Sequence, residues 1–167
     1  PAGRLPISFP QTKGQLPLVY NHKPTGRGDD YHDLSGEPLF PFGYGLSYTQ
    51  FSYSNLVFSK DTLQGMSSIK VRADITNIGD KIGEEVVQLY MRNELSSVAT
   101  PIQSLKGFNR VLIKPGQTKT VEFELNALML SLINENGEQV TEQGTFRIMI
   151  GSNSKSLFLK KNLFYKP

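Results

Sequence analysis

From Ile69 to Thr76 the chain alternates strictly: Ile69, Val71, Ala73 and Ile75 are apolar, while Lys70, Arg72, Asp74 and Thr76 are polar or charged. A period of two places the two sets on opposite faces of an extended backbone, so the segment predicts a half-buried β-strand. The same form recurs downstream. Val121, Phe123 and Leu125 alternate with Thr120, Glu122 and Glu124, Phe146, Ile148 and Ile150 mark another strand, and Leu157 to Leu163 a final one. Phe51 to Phe58 is rich in aromatic and β-branched strand formers. Leu105 to Ile113 is a further apolar stretch, and Glu85 to Met91 is apolar on both faces, which places it centrally in a sheet.

Turn signals separate these runs. Asn77 to Asp80 predicts a turn in which Asn and Gly tolerate positive φ. Lys114-Pro115-Gly116-Gln117 has Pro and Gly where a type II turn needs them. Asn136-Gly137 predicts a hairpin between Leu132-Ile133 and Gln139-Val140. Seven to eight short strands, with only Leu125 to Leu132 as a short helix, describe an all-β protein built as a two-sheet antiparallel sandwich. Cys and Trp are both absent. The Cys-Trp-Cys signature of immunoglobulin domains is therefore missing, and a fibronectin III type of sandwich fits better.

Ahead of the strands the chain reads differently. The first 50 residues hold seven of the ten prolines and seven of the fifteen glycines and show no periodicity. The boundary falls at Phe40 to Thr49, Phe-Pro-Phe-Gly-Tyr-Gly-Leu-Ser-Tyr-Thr. The reading is a small β-domain over 51–167 carrying an extended N-terminal arm, 1–50, that belongs against something else.

Composition removes several function classes. Without cysteine there is no disulfide, thiol nucleophile or Cys-ligated metal. The net charge of +3 comes from scattered cations, with only Lys160 and Lys161 adjacent, so no stripe tracks a phosphate backbone and no nucleic-acid partner is expected. No apolar run approaches the ~20 residues of a membrane span, so no membrane partner is expected. Pro1-Ala2-Gly3-Arg4 is no signal peptide, and any targeting sequence is expected upstream.

Candidate chemical residues are sparse. His22 and His32 lie in the arm, the second among Asp29, Asp30 and Asp33, but a Gly-rich stretch gives little of the rigidity that three or four converging metal ligands need. Asp29, Asp30, Asp33, Glu37, Glu84 and Glu85 are the carboxylates to weigh for glycosidase chemistry, which holds two acids ~5 to 9 Å apart. Neighbours on an extended chain point apart, so the adjacent pairs read as solvated charges. Arg27-Gly28-Asp29 matches an integrin-type tripeptide, too short to weigh alone. Gly43-Tyr44-Gly45 lacks the Lys and Ser/Thr of a phosphate loop, and its glycines suit a bend or close packing. No catalytic, substrate-binding or metal residue is assigned, and no cofactor. Tyr20, Tyr31, Tyr44 and Tyr48 could stack on sugar rings, but aromatics in an arm are better read as interface anchors. Phe40, Phe42, Tyr44 and Tyr48 are the expected interdomain docking residues.

Five segments in order carry a resemblance: Gly3 to Pro10, Tyr20 to Arg27, Pro38 to Thr49, Glu84 to Tyr90 and Leu105 to Arg110, with the Pro-Gly turn at 115–116 following. Together they resemble the C-terminal end of family 3 glycoside hydrolases, the β-glucosidase and β-xylosidase group. The resemblance implies that 3–10 is the last strand region of an α/β sandwich, 11–49 a connecting segment and 51–167 a fibronectin III-like module. It implies a catalytic barrel and an α/β sandwich as partner domains, and periplasmic or secreted location. The family's nucleophile is an aspartate commonly preceded by Ser or Thr, and none of the six aspartates here is; the acid/base glutamate lies upstream in the family. The expected role is thus a non-catalytic structural module of a retaining enzyme. The alternative is a carbohydrate- or polymer-binding module using Tyr90 and Phe108. A third expectation is self-association through Arg4 to Phe9, a strand left with unpaired backbone groups.

Overall fold

In a computed structural model, residues 1–25 and 29–167 are described. Ten strands follow one another from Phe51: β1 (Phe51–Phe58), β2 (Thr62–Gln64), β3 (Ser68–Asn77), β4 (Gly83–Asn93), β5 (Ser104–Ile113), β6 (Thr118–Asn126), β7 (Leu132–Ile133), β8 (Gln139–Val140), β9 (Gly144–Gly151) and β10 (Leu157–Lys166). A three-stranded sheet runs β1-β3-β6 and a five-stranded sheet runs β2-β10-β9-β4-β5. Seven strands are eight residues or longer, within the seven to eight expected. The other three are short: β7 and β8, the two sides of the expected hairpin, and β2, which was not expected. Of these, β2 has no alternation to betray it, since its one buried residue is Leu63, and it pairs with β10 in parallel. All other pairings are antiparallel.

The core lies between the sheets. Ile69, Val71, Ala73 and Ile75 from β3 meet Val87 and Leu89 from β4 and Ile148 and Ile150 from β9, each at most 1% exposed. Burial at about 25 cal/mol per Å² of apolar surface makes this the main stabilising term. In β4 every residue from Glu85 to Met91 is buried, as its two-faced pattern predicts. Val87, Leu89 and Met91 join the core, whereas Val86, Gln88 and Tyr90 face away from it and are covered by the arm.

Two local readings change. The expected helix is a 3₁₀ turn, Ala127–Leu130, because β6 continues to Asn126, whose side chain caps the turn by accepting from the Met129 N–H at 3.1 Å. At Asn77 to Asp80 neither Asn77 nor Gly79 has positive φ. The turn is held by the Asn77 side chain, which accepts from the Gly79 N–H (3.1 Å) and Thr49 Oγ1 (2.6 Å) and donates to the carbonyls of Lys81 (2.8 Å) and Ile113 (2.9 Å). Gly116 does take φ 70, and the Gln117 N–H closes onto Lys114 at 3.0 Å, the type II geometry. The β7-β8 hairpin forms across Gly137 at φ 80 in the expected place.

Candidate functional site

The arm folds back over the outer face of β4 and is tied to it by an aromatic stack. Tyr20 lies parallel to Phe42, with centroids 4.1 Å apart and planes at 14°, and meets Tyr90 edge-on at 6.0 Å. The Tyr20 hydroxyl accepts from the Leu105 N–H at 3.2 Å. Beneath the stack, Tyr90 donates to Gln88 Oε1 at 2.6 Å, and Gln88 Nε2 donates to the carbonyls of Ser152 (2.6 Å) and Gly43 (3.2 Å). Burial pushes the Tyr90 phenol well above its usual range, so it remains a hydrogen-bond donor at any physiological pH. A buried tyrosine needs a partner for its hydroxyl, and Gln88 supplies it while reaching the arm.

Glycines permit this approach. A Cβ on Gly43, which has φ +81, would collide with the Gln88 side-chain amide, and one on Gly45 would collide with Gly3 and Arg4. The Gly-Tyr-Gly motif is therefore a packing motif. Arg4 passes by Gly45 and places Nη2 3.0 Å from Glu85 Oε2. Glu85 Oε1 accepts from the Tyr53 hydroxyl of the opposite sheet at 2.7 Å. Arg4, Glu85 and Tyr53 thus link arm, five-stranded sheet and three-stranded sheet at one end of the sandwich. Burial raises both the Glu85 carboxyl and the Tyr53 phenol, Glu85 despite the opposing effect of its two partners.

The arm's other face looks outward. Residues 5–9 and 39–44 pair within the arm: the N–H groups of Leu5 and Phe9 donate to Tyr44 and Phe40, and their carbonyls accept from Gly43 and Leu39, each at 2.8 Å. Self-association was expected to use free backbone groups from Arg4 to Phe9, and of these the groups of Leu5 and Phe9 are satisfied within the arm. The pairing brings Phe9 and Phe40 to 6.4 Å, edge to face, and Phe40 and Tyr44 to 5.1 Å. With Leu5 and Leu46 they line an open apolar groove of about 510 Å³. Of the four expected docking residues, Phe40 and Tyr44 line this groove, Phe42 packs on the sandwich itself, and Tyr48 stands apart at 77% exposed.

The titratable candidates do not converge. His22 Nε2 is 3.5 Å from Asp29, Asp30 accepts from Ser35 and the Gly36 N–H, and Glu37 pairs with Lys155 at 2.8 Å. His32 and Asp33 are exposed. No group of three or more His, Cys, Asp or Glu able to hold a metal occurs among the described residues. Glu84 is held by Arg110, which lowers its pKa, and Glu85 by Arg4 and Tyr53. The Arg27-Gly28-Asp29 motif lies outside the described residues except for Asp29. Tyr90, wanted as a sugar platform, is wholly buried, whereas Phe108 is 70% exposed. The run of apolar residues in β4 signalled the burial of Tyr90; the link from Gln88 to Gly43 had no sequence signal, because it joins residues far apart in the chain.

The family profile for the fibronectin type III-like domain matches residues 85–154. A β-xylosidase of Formosa agariphila is 41% identical over 164 residues, covering 96% of this chain and 22% of the relative. A periplasmic β-glucosidase of Salmonella typhimurium is 38% identical, over 92% of this chain and 21% of the relative. The crystal structure of a Listeria innocua β-glucosidase in complex with glucose superposes with a TM-score of 0.93 at 35% identity, over 100% of this chain and 24% of that one. This chain corresponds to the C-terminal region of family 3 glycoside hydrolases. It spans under a quarter of the length of these relatives. In family 3 terms the β-sandwich is the fibronectin III-like part, and the relatives carry further chain beyond what it covers. No helix is long and apolar enough to cross a membrane among the described residues.

Proposed function

We propose that the chain is a non-catalytic structural module that attaches to the barrel and α/β sandwich domains of a family 3 enzyme cleaving β-glucosides or β-xylosides, in the periplasm or outside the cell. Its division is an arm, 1–50, and a fibronectin III-like domain, 51–167. The observation that carries this reading is the two-sided arm. One side is committed to the sandwich through Tyr20, Phe42 and Arg4, while the other presents Phe9, Phe40 and Tyr44 around an open apolar groove. Exposed aromatic patches of this kind mark interaction surfaces, and aromatic anchors contribute most to association. The large share of each relative that lies outside the match supplies the occupant. Each of Glu37, Glu84 and Glu85 is held in a structural pairing, which supports a role without turnover. The test is hydrolysis of aryl β-glucosides and β-xylosides by the purified chain: no activity above a buffer blank is expected, and activity that copurifies with the chain overturns the reading. Retention on insoluble glucan through Phe108 would favour the binding-module alternative instead.

A further inference from the structure

A second cavity, of about 310 Å³, opens between β5, the loop that joins β4 to β5, and the 3₁₀ turn leading into β7. Met91, Val98, Leu130 and Leu132 give it apolar walls. Among the described residues its charged lining consists of two lysines, Lys23 from the arm and Lys106 from β5, with no carboxylate. Lys106 has no hydrogen-bond or ion-pair partner among the described residues, and burial lowers the pKa of its ammonium group. Glu94, an acid close to the cavity in sequence, is taken by Arg147 at 2.7 Å. Lysine is almost never fully buried unless paired, and even partial desolvation of an unpaired ammonium is unfavourable, so Lys106 offers an open position to an anion.

We propose that this cavity is a binding site for a small organic carboxylate with an apolar body of about one ring, its carboxylate on Lys106 and its body against Met91, Leu130 and Leu132. The volume is at the low end of small-molecule sites, which run from about 300 Å³. A few polar groups set among apolar walls is the usual form of such sites, and here Lys106 and Lys23 are joined by Asn93, Thr100, Ser104 and Ser131. The lysine ammonium is a compact point charge, suited to one carboxylate, and the apolar walls formed by Met91, Val98, Leu130 and Leu132 favour an anion that carries an apolar body over inorganic phosphate. Binding would supply the missing counter-charge of Lys106. The site is separate from the docking groove and does not depend on the proposed attachment.

Titration of the 167-residue chain with sodium benzoate, followed by amide NMR shifts, tests this directly. Saturable shifts are expected at Ser104, Lys106 and Leu132, with benzamide and inorganic phosphate binding roughly tenfold more weakly, since a charge-assisted hydrogen bond is lost in one case and apolar contact in the other. Lys106→Met should weaken benzoate about tenfold while Lys106→Arg retains most of it. Absence of binding, equal binding of benzamide or phosphate, or an unaffected Lys106→Met would each overturn the proposal. If the variants fold poorly, the unmodified chain suffices: benzoate should slow acetylation of Lys106 by acetic anhydride without slowing Lys70 or Lys119, and equal slowing at all three, or none, would refute it.

Discussion

Arg4 Nη2 lies 3.0 Å from Glu85 Oε2, so a residue near the start of the arm closes one end of a sandwich that begins 47 positions after it, at Phe51. Both side chains are largely buried, at 11% and 4% exposure. Glu85 also holds Tyr53, which makes the carboxylate the point where the arm and both sheets meet.

Removing one member of this group should be much worse than removing both charges. Arg4→Met leaves the Glu85 carboxylate buried with Tyr53 alone, and a loss of about 3 kcal/mol is expected, in the range for breaking a buried pair. Arg4→Met combined with Glu85→Gln should recover most of that loss. Urea denaturation of the four proteins in a double-mutant cycle measures the coupling, and additive single effects would show that the pair does not act as one.

The pH dependence has a defined sign. Burial raises the folded-state pKa of Glu85 above its ordinary value of 4.5, so the folded chain holds this proton more tightly than the unfolded chain. The stability contributed by Glu85 is then fully present below pH 4.5 and is lost as pH rises through the raised folded value. Melting temperatures of the wild type and Glu85→Gln, taken from pH 4 to 8, should show the wild type falling relative to the variant as pH increases. The opposite trend would mean that Arg4 and Tyr53 outweigh burial.

Gly43 and Gly116 both have positive φ, at 81 and 70, but only Gly43 is crowded. Gly116→Ala should cost about 1 kcal/mol, the conformational penalty alone. Gly43→Ala adds a collision with the Gln88 amide and should cost roughly 2 kcal/mol more. Equal effects by chemical denaturation would show that the arm moves aside without loss.

Asn77 makes four side-chain hydrogen bonds and is fully buried. Asn77→Ala leaves the Ile113 carbonyl without that donor and should destabilise the chain by about 3 kcal/mol. Asn77→Asp keeps the acceptors and loses the donors, so it should also destabilise, with the loss growing as pH rises and the buried carboxyl ionises. Thermal melts of both variants check this.

Most of the sandwich was legible because its information is local. Strict alternation in β3, the two-faced run in β4 and the Asn136-Gly137 hairpin each declare themselves within a few residues. What was hidden depends on partners distant in sequence. The three residues of β2 become a strand only because β10 runs alongside, and the turn after β3 is fixed by Asn77 reaching Thr49, Lys81 and Ile113. The arm shows the same division: its aromatic content raised the expectation of an interface, but which ring faces which way is set by Tyr20 stacking on Phe42 and by 5–9 pairing with 39–44.

The proposed attachment through the outward groove is tested most directly by titrating the chain, in trans, into the barrel and α/β sandwich part of the proposed parent enzyme and measuring heat. The module account predicts saturable binding that Phe9→Ser with Phe40→Ser weakens at least about tenfold, as loss of two aromatic anchors should, while the melting temperature of the isolated chain stays within ~2 °C because the groove lies outside its core. No binding, or binding that the double variant leaves unchanged, would contradict it.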